Sequence, residues 1–208
     1  MPGRRILLVE GTDDVHVFRA LFGKRGLPEL SCIKDHGSCD QLIEAIPVRL
    51  KESDIEAVGI VLDADTNVAG RWASVRHRLS SAGYAPPQQP DPHRLVLNPP
   101  PQTILPRVGV WLMPNNTVPG KLEDFLRCLV PHDNALFAYA AGTVDGIPEH
   151  LRLFKPIDQP KALIHTWLAW QAEPGRPFGT SITAGFLEHT VAEVDILVRW
   201  LQRLFFPE

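Results

Sequence analysis

Glu10 closes a short apolar run, Arg5–Val9 (RILLV), and Gly11 behind it permits a sharp turn. Asp14 follows four residues after Glu10. A second run, Ala57–Leu62 (AVGIVL), ends in Asp63-Ala64-Asp65. A third, Val108–Met113 (VGVWLM), leads through a loop to Glu123 and Asp124. Short apolar runs of this kind fit buried strands. In an open parallel sheet, ligands bind outside the carboxyl ends of the strands. Three strand ends therefore deliver acids to one edge. Gathered carboxylates repel one another, and their pKa values rise unless a cation neutralises them. Hard oxygen donors suit Mg²⁺ or Mn²⁺ far better than zinc. Strand side chains alternate between faces, so Asp63 and Asp65 can both reach one site while Ala64 packs away. An acid in a first helical turn can simply favour the helix dipole. Asp13, Asp14 or Asp124 alone therefore says little, and the inference rests on the joint placement.

The elements that must hold these acids follow from the pattern. After the first strand, Thr12 is placed to cap a helix whose Val15, Phe18, Leu21 and Phe22 share one face. Leu30–Ile33 reads as a second strand. A second helix buries Leu42, Ile43, Ile46 and Leu50, with Pro47 expected to interrupt or restart it. Trp72, Val75 and Leu79 mark a third helix ending near Gly83. The proline-rich stretch 85–106 is expected to hold a hairpin around Arg94–Leu97 and Thr103–Leu105, or a loop crossing the sheet. Lys121 opens a helix. Past Pro131 the pattern turns helical, at Ala135–Ala141, Lys161–Gln171 and Val191–Phe205, and 174–179 reads as a connecting loop. Strands alternating with helices imply βαβ units. The expectation is an α/β fold, a Rossmann-like, mostly parallel sheet flanked by helices. Residues 1–130 form its core, and 131–208 form a helical region packed on that core.

Composition narrows the classes. The chain has 208 residues, 44% hydrophobic and 22% charged, with net charge −3, so nothing draws it generally to nucleic acid or acidic lipid. Nucleic-acid binding would need a local basic patch or a metal bridge. Cys32, Cys39 and Cys128 lack the number and spacing of a disulfide framework or a zinc site. No apolar run approaches a membrane span. The opening Met-Pro-Gly-Arg-Arg leads directly into a strand without the pattern of a signal peptide. A cytoplasmic protein with no membrane role is expected. There is no GxSxG elbow and no HExxH pair.

Three segments carry a resemblance: VEGTDD at Val9–Asp14, VLDAD at Val61–Asp65 and GKLEDFL at Gly120–Leu126. Together they resemble the TOPRIM domain shared by topoisomerases, primases and several nucleases. They look most like the TOPRIM part of the OLD (overcoming lysogenization defect) nucleases and like small stand-alone TOPRIM-like proteins of unknown function. The resemblance covers about the first 130 residues, and PKALIHTWLAWQ at Pro160–Gln171 is similar to the helical tail of the stand-alone group. It implies a TOPRIM fold in which Glu10 acts as acid/base or metal ligand. Asp14, Asp63, Asp65 and Glu123 are implied as further ligands of Mg²⁺ or Mn²⁺, and Lys161 as a catalytic lysine. OLD nucleases carry an ATPase domain, but this chain lacks the GxxxxGK[ST] phosphate loop, so an ATPase would have to be a separate partner. Only Tyr84 and Tyr139 are tyrosines, and neither is placed for topoisomerase chemistry.

Three functions compete. The first is a metal-dependent nuclease or other phosphoryl-transfer enzyme that meets nucleic acid through its metal. The second is a binding or regulatory protein that keeps the frame without catalysis. The third is a phospho-signalling module, because RILLVEGTDD also resembles the start of a response-regulator receiver. In that reading Asp63 is the phosphorylated residue and Phe154-Lys155-Pro156 supplies the lysine. Asn115, Asn116 and Thr117 are polar loop residues that could assist a site. Trp167, Trp170, Trp200, Phe205 and Phe206 are more aromatic surface than a small helical layer needs, which motivates a homodimer.

Overall fold

A computed structural model describes residues 3–93 and 95–207. Its elements run β1 (Arg4–Val9), α1 (Thr12–Lys24), β2 (Cys32–Asp35), α2 (Cys39–Arg49), β3 (Ile55–Asp63), α3 (Val68–Ser81), β4 (Val96–Leu97), β5 (Arg107–Met113) and α4 (Leu122–Arg127). Then come α5 (Ala135–Asp145), α6 (Gln159–Ala169), α7 (Phe178–Ala184) and α8 (Ala192–Phe205), with short 3₁₀ turns at Glu149–Leu151 and Pro156–Asp158. The five strands form one sheet in the order β2-β1-β3-β5-β4. Its first four members are parallel, and β4 runs antiparallel to β5. The expected α/β class with a mostly parallel sheet and C-terminal helices is what the chain adopts.

The order of the strands positions the acids. From β1 the chain moves outward to β2, then returns past β1 to β3 on its other side. The connections from β1 and β3 therefore leave in opposite directions, and a crevice opens between their carboxyl ends. Glu10 and Asp63 flank that crevice, each at the end of its strand.

Both faces of the sheet are covered, and alternation sorts the residues between them. Ile6, Leu8, Val58, Ile60, Leu62 and Ala64 pack with α2 and α3. Leu7, Val9, Ala57, Val61, Trp111 and Met113 pack with α1 and with α4 to α8. The closest approach on this second face is at Gly59 and Gly109, which are register partners on β3 and β5. A Cβ on Gly59 would stand 2.9 Å from Phe205, and one on Gly109 would stand 2.6 Å from Leu204. The two glycines thus let α8 lie directly on the sheet. Trp200 of α8 meets Trp111 at 5.6 Å between ring centroids and donates its indole N–H to the Leu95 carbonyl at 3.3 Å. Trp167, Trp200 and Phe205 are fully buried in this layer, so most of the aromatic surface that motivated a dimer lies inside the protein. Trp170 remains half-exposed beside Tyr139.

Several local expectations change. The second strand is Cys32–Asp35, two residues later than Leu30–Ile33, because register with β1 pairs Ile6 with Cys32. A short apolar segment does not by itself state which of its residues meets the neighbouring strand. Thr12 is inside α1, and Gly11 precedes it as the cap. The Thr12 hydroxyl instead donates to Asp35 Oδ2 at 2.7 Å and ties α1 to the end of β2. α2 runs through Pro47 and ends two residues later. Of the proposed hairpin, Val96–Leu97 is a strand, but its partner is β5. Thr103–Leu105 is irregular, and Arg94 lies outside the described residues. The stretch 174–179 is not wholly a loop, since α7 begins at Phe178. Gly179 is needed there, because a Cβ would stand 2.5 Å from the His16 carbonyl oxygen of α1. Among the described residues, no helix is long and apolar enough to cross a membrane.

Candidate acidic site at the strand ends

Asp63, the last residue of β3, is the hub. Its backbone N–H donates to Glu10 Oε1 at 2.7 Å, which joins the ends of β1 and β3. Its carboxylate Oδ1 accepts from the Leu122 N–H at 2.9 Å, at the first residue of α4. One residue thus stitches two strand ends to a helix N-terminus, where exposed N–H groups favour a negative partner. Asp14 is buried in the first turn of α1 and accepts the Gly11 N–H at 3.1 Å. Glu123, in the first turn of α4, is also buried, and Lys161 Nζ from α6 reaches its Oε1 at 3.2 Å.

The electrostatics show that these acids share one environment. Burial pushes Asp63 up to about 9, and the charges of Glu10, Asp14, Glu123 and Asp65 push in the same direction. Asp14 rises to about 7, through burial first and then Glu10, against the Gly11 hydrogen bond. Glu10 is also raised by burial, in part opposed by the Asp63 N–H and by the Arg71 charge. Asp63 therefore feels the charges of all four other expected ligands, Glu10, Asp14, Glu123 and Asp65. Lys161, on α6 far along the chain, reaches this group at Glu123.

Asp65 behaves differently. It leaves the strand with φ of +50°, a left-handed conformation, and forms an isolated antiparallel bridge with Gly120. Its N–H donates to the Gly120 carbonyl at 2.9 Å, and its own carbonyl accepts from the Gly120 N–H at 2.8 Å. Its carboxylate pairs with the Arg71 guanidinium, and Lys121 Nζ stands 3.8 Å away. Arg71 also donates from Nε to the Asp63 carbonyl at 2.9 Å and meets the Cys39 sulfur. Burial draws the Lys121 pKa down, but its hydrogen bond to Asp158, together with the charges of Asp158, Asp65 and Asp63, leaves it raised. The Cys39 thiol is pushed up to about 12 by burial and by Glu10, so it stays protonated and serves as a hydrogen-bonding group beside Glu10. The two members of Asp63-Ala64-Asp65 do share a strand end, with Ala64 buried on the α3 side as alternation requires. The turn at Asp65 nonetheless sends its carboxylate to a pair of cations.

Among the described residues, no group of three or more His, Cys, Asp or Glu side chains is arranged to hold a metal ion. The donors are hard oxygens, and the raised Asp63 and Asp14 mark an excess of negative charge, which fits a hard divalent cation. As the side chains stand, Glu10, Asp63, Asp14 and Glu123 each have an oxygen engaged by a protein donor.

Arg71, Lys121, Asp158 and Cys39 are the members that sequence reading did not single out. Lys121 lies inside GKLEDFL and was visible there. Arg71 sits one turn into the helix after Asp65, a spacing that permits but does not demand a pair. Nothing local signals Cys39 or Asp158, which come from α2 and the 3₁₀ turn before α6. Asn116 proves structural: it is buried, accepts the Leu112 N–H at 2.6 Å and donates to the Pro92 carbonyl at 3.3 Å. Lys155 is exposed ahead of a 3₁₀ turn and pairs with no carboxylate among the described residues.

No curated protein and no solved structure matches this chain. A family model described as a protein of unknown function (DUF3226) matches residues 4–206, nearly the whole sequence, and the chain belongs to that family.

Proposed function

We propose that this protein is a Mg²⁺- or Mn²⁺-dependent TOPRIM-like enzyme of phosphoryl transfer, a nuclease acting on nucleic acid. The observation that carries the reading is the gathering of Glu10, Asp14, Asp63 and Glu123 at the switch point of a parallel sheet, where burial and the neighbouring acids raise Asp63 and Asp14. Holding Asp63 and Asp14 buried among other carboxylates costs free energy, and a cation bound there offsets that cost. Glu10, Asp14, Asp63 and Glu123 are the residues that would hold it, on exchanging their present protein donors for the ion. When bound, a divalent ion supplies charge stabilisation on a phosphate oxygen. Glu10, its pKa raised by burial, is suited to move a proton. Lys161 stands at the rim of the cluster and offers a mobile positive charge to a phosphate.

The test is cleavage of supercoiled DNA, linear DNA and RNA by the pure protein with Mg²⁺ or Mn²⁺, with Asp63→Ala as control. Metal-dependent cleavage that vanishes in the variant supports the reading. Equal cleavage by both proteins, or none by either, rejects it.

A second reading is a non-catalytic TOPRIM-like binding or regulatory protein. Its support is that Arg71, Lys121 and Lys161 already act as internal counterions to Asp65 and Glu123. Nucleic-acid binding without cleavage, unchanged by metal, would favour it.

A further inference from the structure

Arg76 lies on the face of α3 opposite the acids' counterion Arg71, and it faces a cavity of about 540 Å³ between α3 and the proline-rich segment. That volume is within the range of small-molecule sites. Its apolar wall is Val68, Ala69, Ala73 and Pro90, over the buried Trp72. Its polar side is Arg76, Gln88 and Gln89, and among the described residues no acidic side chain lines it.

The guanidinium is the anomaly. Arg76 Nε is sequestered from solvent with no hydrogen-bond partner. Arg49, Arg152 and Arg176 also have a sequestered Nε, but each meets an acceptor with another guanidinium nitrogen. Among the described residues, Arg76 meets none. Leaving that N–H buried and unanswered is costly, and the terminal nitrogens of the same guanidinium remain open to a partner. In a protein of net charge −3, this cavity presents a positive charge with no acid beside it among the described lining residues, which favours an anion. Gln88 and Gln89 are exposed at its edge, and each carboxamide presents both a donor and acceptor lone pairs.

We infer that this cavity binds a nucleoside monophosphate, either free or as the 5′ end of a nucleic-acid strand. A guanidinium fork matches a phosphate, and carboxamides match the mixed donor and acceptor edge of a nucleobase. The flat apolar wall receives the ring. The cavity is also lined by Asn116 and Thr117, just beyond the end of β5, where Met113 pairs with Asp63. The choice of a nucleotide over another planar anion rests on the proposed action on nucleic acid, whereas the cavity and its unpaired cation do not.

Calorimetric titration in EDTA, so that no metal contributes, tests this with adenosine monophosphate, adenosine, inorganic phosphate, and oligonucleotides with and without a 5′-phosphate. Adenosine monophosphate should bind more tightly than adenosine or phosphate alone. Arg76→Ala should weaken it roughly 10- to 100-fold while leaving adenosine unchanged, and Arg76→Lys should recover part of the loss. Gln88→Ala with Gln89→Ala should weaken adenosine monophosphate and adenosine alike, which keeps the test decisive if Arg76→Ala does not fold. Asp63→Asn should leave binding intact. Preference for the 5′-phosphorylated strand over the free nucleotide would identify a strand end as the ligand, and the reverse a free nucleotide. The inference is overturned by no saturable binding of either, by parent-like affinity in Arg76→Ala, or by loss of binding in Asp63→Asn. Nucleotide binding without any nuclease activity would sink the proposed function and leave this site standing.

Discussion

Two residues apart on one strand end, Asp63 and Asp65 live in opposite electrostatic worlds. Asp63 is surrounded by carboxylates and is pushed to about 9. Asp65 is turned away by its left-handed backbone and meets Arg71 and Lys121. A DxD pattern therefore does not guarantee a DxD pair. Which side of the crevice a carboxylate falls on decides whether it is a source of strain or part of a neutral ion-pair network.

The largest effect that could break this comparison is the response of the metal-free protein to pH. Asp63 and Asp14 bind protons more tightly folded than unfolded, so unfolding releases protons above about pH 4. Their contribution to stability is fully present below that pH. It is lost as the pH rises toward the folded values of about 7 and about 9. Urea unfolding in EDTA should show a loss on the order of a few kcal/mol between pH 5 and 8.5. Asp63→Asn should flatten the curve, whereas Asp65→Asn should not. A flat curve for the parent would mean the acids are not strained.

Next in size is the response to metal. At pH 8 and a hundredfold excess over Kd, Mg²⁺ or Mn²⁺ should stabilise the fold by about 2.7 kcal/mol, read as a rise in Tm. Asp63→Asn should abolish most of that rise, and Asp65→Asn should keep most of it. Equal loss in both variants would reunite the pair and erase the asymmetry for the metal-bound state.

The counterion side yields a smaller effect. Arg71→Ala removes a partner from the Asp65 carboxylate and from the Asp63 carbonyl. It should cost about 2 kcal/mol, measured by denaturant midpoint. Asp65→Asn should cost about 0.5 kcal/mol, because that carboxylate is partly exposed and screened. If Arg71→Ala is neutral, the network is ornamental to stability.

Smallest is Lys161→Ala, below about 0.5 kcal/mol, since the Lys161 side chain is 53% exposed. Its near-silence in stability makes it informative for activity. A well-folded Lys161→Ala protein that has lost metal-dependent cleavage would give the lysine a role in turnover. One that cleaves normally would leave it a surface partner of Glu123.

How far the site could be read in advance varied by residue. Glu10, Asp14, Asp63 and Glu123 were legible because each stands next to a strongly apolar strand or in the first turn of a helix, and both are local signals. Lys161 was reached through resemblance alone, since no local rule ties α6 to the end of β3. Arg71 and Lys121 were overlooked because a cation on a helix has many solvent-facing uses. The left-handed turn at Asp65 was hidden because alternation continues by default past a strand end. α7 was missed because proline and glycine at its start read as a loop, whereas Gly179 serves its close contact with α1.

The sequence by itself determined the three central strands, their faces and the end of each at which an acid sits. Apolar runs and alternation are properties of neighbouring residues, and chain direction distinguishes a carboxyl end from an amino end. Only the tertiary structure decided which acids share a field and which are neutralised, and that Arg76 faces a cavity without a counterion. Those outcomes depend on segments brought together from α2, α3, α4, α6 and the proline-rich stretch. Coulomb energies and burial act through distances in space, which separation along the chain does not encode.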